Sequence, residues 1–121
     1  MDMSMFDLAQ SVKRGVRLLD RKVPRWRRVM REHQDQYDFK NGEHCILGTL
    51  EHFSGRMAVL KKRGQVVDDY AYNRGRLALG LRELSDAVVC GFDAPESDAR
   101  DHERAVLHDL WRAEFEPIYR S

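Results

Sequence analysis

Met5, Leu8, Val12, Val16 and Leu19 recur at three- and four-residue steps, while Lys13, Arg14, Arg17 and Arg21 fill positions between them. That spacing predicts an amphipathic helix with one buried face, and Ser4 is placed to cap it. Pro24 lacks an amide hydrogen and cannot lie inside that helix, but it suits the first turn of a second one carrying Trp26, Val29 and Met30. From Gln34 to Gly42 the period is lost, Asn41-Gly42 marks a turn, and Tyr37 and Phe39 read as aromatic anchors of a connection. Helical spacing returns with Cys45, Ile46, Leu50 and Phe53, and Gly55 is a natural stop. Gly48 inside this segment predicts close packing against another helix.

Residues 56–73 fit two patterns. Residues 57–64 suit one or two helical turns ending at Gly64, and a β-hairpin of 57–60 with 65–70 is the alternative. Beyond them lie a short helix, a break at Gly80 and a helix through Leu84, Ala87, Val88 and Cys90 that ends at Gly91, with Phe92 folding back on its last turn. Pro95 and Ser97 restart the chain as a helix with Val106, Leu107, Leu110 and Trp111 on one stripe and Pro117 beyond its end. The reading is a mainly α fold, a compact bundle of four to six short helices over a single domain of residues 1–121, with a small hairpin near 57–70 as the only β element considered.

A length of 121 residues and an apolar share of 42% suffice for one core. No segment approaches the roughly 18 apolar residues of a membrane span, and the acidic start of the chain is unlike a cleaved leader, so the cytoplasm is expected. The net charge of +1 conceals a segregation. Residues 1–33 carry nine cations against four acids, whereas residues 83–116 carry ten acids against three arginines. Such ends either steer a partner or neutralise each other within one fold, and the second outcome is the expectation.

Candidate chemistry is sparse. Cys45 and Cys90 are too few for a disulfide framework and stand in apolar contexts that favour buried thiols. No CxxC or HxxxH pair is present, so no metal or cofactor is expected. Cys45 with one of five histidines as base, or Asp98 with His102 four residues on, are the formal enzymatic options. Core packing and surface decoration are the stronger readings of them, and the chain is expected not to be an enzyme. Trp26 and Trp111 stand in apolar stripes and are expected in the core.

The cassettes GVRLLDRKVPRW (15–26), HCILG (44–48), RGRLALGL (74–81), CGFDA (90–94) and LWRAEF (110–115) together resemble a family of small uncharacterised proteins of actinobacteriophages, mycobacteriophages in particular. The chain departs from that pattern where Thr49 takes a glutamine position and residues 54–72 intervene as an insertion. The resemblance implies a phage origin and setting but no mechanism; a small phage protein without an enzyme signature is expected to be an accessory protein in the host cytoplasm, acting by contact with a host or phage protein and modulating or inhibiting a host factor, and a homodimer is a further option. The insertion is the expected binding loop, made basic by Arg56, Lys61, Lys62 and Arg63, with Tyr70 and Tyr72 as anchors. The alternative is a nucleic-acid-binding regulator using Arg14, Arg17, Arg21, Arg25 and Arg28 on phosphates.

Overall fold

The structure is a computed structural model and describes residues 5–53 and 71–116. The protein is mainly α-helical: among the described residues lie six α-helices, α1 (Met5–Lys22), α2 (Trp26–Glu32), α3 (Ile46–Phe53), α4 (Ala71–Ala78), α5 (Leu84–Val89) and α6 (Arg100–Phe115), with a 3-10 turn at Gln34–Gln36. The caps expected at Ser4 and Gly55, the turns at 56–70 with their hairpin alternative, and Pro117 lie outside the described residues.

The expected stripe of α1 is buried as Leu8, Val12, Val16 and Leu19, and it packs on α6. Pro24 occupies the turn just before α2, and Trp26 and Met30 deliver that short helix to the core. At the centre the two indoles meet edge to face, 5.7 Å between centroids at 85°, a geometry that adds about 0.5–1.5 kcal/mol to their burial. Each indole N–H has a partner: Trp26 Nε1 donates to Asp20 Oδ1 (2.8 Å) and Trp111 Nε1 to the Gly91 carbonyl (2.6 Å). The indole of Trp26, followed by Arg27, holds the Asp20 carboxyl below the usual carboxylate range.

Tyr37 and Phe39 are both buried, as anchors should be. The Tyr37 hydroxyl donates to the His108 carbonyl (2.9 Å), and the Phe39 amide donates to His108 Nδ1 (3.2 Å), so this connection is fastened to the middle of α6. The most extensive helix pairing is α3 with α4, where Gly75 lets the chain approach the backbone of Leu47. Gly48 is tightly enclosed too, but by the carbonyl of Gly42 and the backbone of Glu43 rather than by a helix. α5 ends as expected: Gly91 has φ +73°, its amide donates to Val88 O, and the Phe92 amide donates to Ala87 O. Phe92 then stacks on Trp111 at 5.2 Å.

Three further expectations about the helices need correction. The buried stripe of α6 is Glu103, Leu107, Trp111 and Phe115, with Val106 and Leu110 only half-buried. Phe53 is 46% exposed and lies flat on His33, 3.6 Å between centroids. On α5 only Ala87 is buried; Val88 and Cys90 are half-buried and Leu84 is 61% exposed. A six-residue helix lying on the outside of α1 has room for one inward position.

Candidate functional site

The thiol of Cys45 sits in the turn that leads into α3, where it accepts the Gly48 amide at 3.3 Å and faces the Gly42 carbonyl at 3.7 Å. Burial pushes its pKa up to about 11, against smaller opposing help from the Gly48 and Leu47 amides. The thiolate that nucleophilic attack requires is therefore scarce at neutral pH. Asp98 lies ahead of the first residue of α6, so Asp98 and His102 do not share a helix, and both are exposed. Burial and the neighbouring Arg112 lower the pKa of His108, whose Nδ1 is occupied as the acceptor for Phe39; it is a neutral, structural histidine. Glu43 and His52 join at 2.7 Å, and His52 is the main reason that the Glu43 carboxyl is held low. Among the described residues no three metal-ligating side chains converge, and no helix is long and apolar enough to cross a membrane.

Of the expected binding loop, Arg56, Lys61, Lys62, Arg63 and Tyr70 lie outside the described residues. Tyr72 does not serve as an exposed anchor. It is 8% exposed, turned inward in the first turn of α4 together with Ala71, and burial raises its phenol pKa.

The basic stripe divides into committed and uncommitted residues. Arg14 donates from Nε to the Val89 carbonyl (2.8 Å) and from its terminal nitrogen to Ser11 Oγ (3.1 Å). Arg28 pairs with Glu32 one turn on (3.0 Å), and Arg27 binds Asp20 (2.6 Å) and the Glu114 carbonyl. Arg17, Arg21 and Arg25 are exposed and form no ion pair among the described residues. Arg17 and Arg21 share a helix face with Arg14 because they follow it by three and seven residues. The opposite-charge ends neutralise each other at one described ion pair only, Lys13 with Glu114 at 2.6 Å. Other acids of the C-terminal third are met locally, as Asp93 is by Arg100 and Arg104 and Glu116 by Arg112.

Several apolar side chains of α5 and α4 are exposed. Leu84 is 61%, Val89 53% and, on α4, Leu77 42% exposed. Arg76 ties the two helices through the intervening turn, donating from Nη1 to the carbonyls of Leu81 (2.7 Å) and Arg82 (2.6 Å). The one signal that could have exposed α5 in the sequence is its polar start, Glu83, Ser85 and Asp86, which leaves Ala87 as the small residue fit for a close inward contact.

No family model matches the chain, and no curated protein and no solved structure is similar to it.

Proposed function

We propose that this chain is a non-enzymatic binding protein that captures a partner protein through α5 and the arginine stripe of α1. The observation that carries the reading is the Arg14–Val89 contact at 2.8 Å, which seats the C-terminal end of α5, where Val89 is exposed, against the α1 face that also bears the uncommitted Arg17 and Arg21. Apolar side chains at the centre of a contact supply affinity, and a cationic margin supplies steering and choice of partner. The partner that fits is a segment with an apolar face and an acidic flank. In the actinobacteriophage setting suggested by the cassettes, it is a host protein in the cytoplasm of the infected cell, modulated or inhibited by capture. The test is retention from a mycobacterial lysate by the wild type, by Leu84→Asp/Val89→Asp and by Arg17→Glu/Arg21→Glu. A host protein held by the wild type and lost by both folded variants is the expected result; equal retention by all three overturns the reading.

The exposure of Arg17, Arg21 and Arg25 also favours a second reading, phosphate contact with a nucleic acid. The commitment of Arg14 and Arg28 to internal partners reduces the stripe available for it. Phosphate binding predicts a gel shift that fades steeply with salt. The absence of a shift at low salt removes that reading.

A further inference from the structure

On another face, Phe39, Lys40, Gly42, Cys45, Tyr72, Phe92, Asp93 and Arg104 line a cavity of about 140 Å³. We propose that this cavity is a binding site for a single-ring aromatic anion, its ring packed among Phe39, Tyr72 and Phe92 and its carboxylate at Lys40. Size supports the class of ligand, since an apolar cavity of about 150 Å³ accommodates a benzene ring. The three walls are fixed before any ligand arrives. Phe92 is held by the glycine turn at Gly91 and by its stack on Trp111, Phe39 by the hydrogen bond from its amide to His108 Nδ1, and Tyr72 by its inward place on α4. Prior order of this kind removes much of the entropic cost that limits small ligands.

Charge selects the anion. Asp93 is the only acid among the described residues of the lining, and it is consumed: its two oxygens accept from Arg104 Nε and terminal nitrogen (2.8 and 3.2 Å), from Arg100 (2.9 Å) and from the Ala94 amide (2.8 Å). The ammonium of Lys40 forms no ion pair among the described residues, and Lys40 is exposed at the mouth. A ligand ammonium would meet two cationic side chains and a neutralised carboxylate, whereas a carboxylate meets an unspent charge. Cys45 contributes a protonated, internally bonded thiol, which makes that part of the lining weakly polar.

The site is separate from the α1–α5 surface and stands or falls independently of it. The test is a titration of the protein with benzoate, benzyl alcohol and benzylamine, followed by amide chemical shifts. Benzoate is expected to saturate in the millimolar range, moving the amides of Phe39, Lys40, Gly42, Tyr72 and Phe92, with about tenfold weaker binding of benzylamine. Lys40→Glu, a change at an exposed position, is expected to weaken benzoate about tenfold and to abolish its advantage over benzylamine. Any of three results overturns the proposal: shifts confined to the arginines of α1, equal affinity for all three compounds, or an unchanged benzoate affinity in Lys40→Glu.

Discussion

Two glycines with left-handed backbone separate conformational strain from crowding. Gly80 has φ +79° with nothing within 4 Å of a would-be Cβ, whereas at Gly91, φ +73°, a Cβ would stand 2.7 Å from the Val12 amide nitrogen. Gly80→Ala is expected to cost about 1–2 kcal/mol, the price of a side chain in that conformation. Gly91→Ala is expected to cost clearly more, because α1 must also move away from the turn that accepts the Trp111 indole. Urea midpoints of the two variants check this, and equal losses would show that the approach of Val12 is easily relaxed. His108 supplies a pH dependence of definite sign. Its folded-state pKa lies below the ordinary 6.5, first through burial and then through Arg112, so the unfolded chain takes up the proton more readily. The stability it contributes is complete above about pH 6.5 and is lost as pH falls from there through the depressed folded value. His108→Asn, which keeps an acceptor near the Phe39 amide but does not titrate, is expected to flatten stability between about pH 7 and 5; an unchanged slope would assign the loss to other groups.

Helices differ in how firmly they are held, and α5 is the weakest of those described. Six residues long, it buries Ala87 alone and rests on α1, while α6 sends Leu107, Trp111 and Phe115 into the core. Backbone amides of α5 are therefore expected to exchange with solvent well before those of Leu107–Trp111 at the centre of α6, in native-state hydrogen exchange. Exchange of both at the global unfolding rate would mean that α5 is locked to α1 more strongly than its single inward side chain allows. The same contrast explains which parts of the fold were legible in the sequence. α1 was legible because eighteen residues give a period room to repeat, and the end of α5 because Gly91 and Phe92 satisfy a backbone requirement that is local. The facing of α5 was not, since Leu84, Val88 and Val89 surround so short a helix and only tertiary contacts decide which of them turns inward. Glu103 was missed in the α6 stripe for a similar reason: a glutamate reads as exposed until a partner such as the Ser97 hydroxyl, 3.1 Å from its Oε1, is brought to it. Tyr72 was misjudged because an aromatic beside a basic stretch looks like an anchor, whereas the fold brings Cys45 and Phe92 around it and takes it into the core.

Across the whole molecule, the proposed capture of a partner would let the effect of charge on folding and its effect on association be measured apart. Arg17 and Arg21 are exposed and form no ion pair among the described residues, so Arg17→Glu/Arg21→Glu is expected to change stability by no more than about 1 kcal/mol, as surface substitutions of about ±0.5 kcal/mol each do. Leu84→Asp/Val89→Asp removes side chains that are already more than half exposed, and a change of similar size is expected. Under the proposed capture of a partner, their expected consequences differ in kind. Reversing the charges acts on encounter, lowering the association rate and erasing its dependence on salt, while dissociation changes little. Replacing the apolar pair acts on the formed contact, raising the dissociation rate with the salt dependence of association intact. Surface-plasmon measurements of both variants over a salt series, against whichever host protein the wild type retains, check the division. Faster dissociation from charge reversal alone would place the arginines inside the contact rather than at its margin, and slower association from the apolar change alone would remove α5 from the interface.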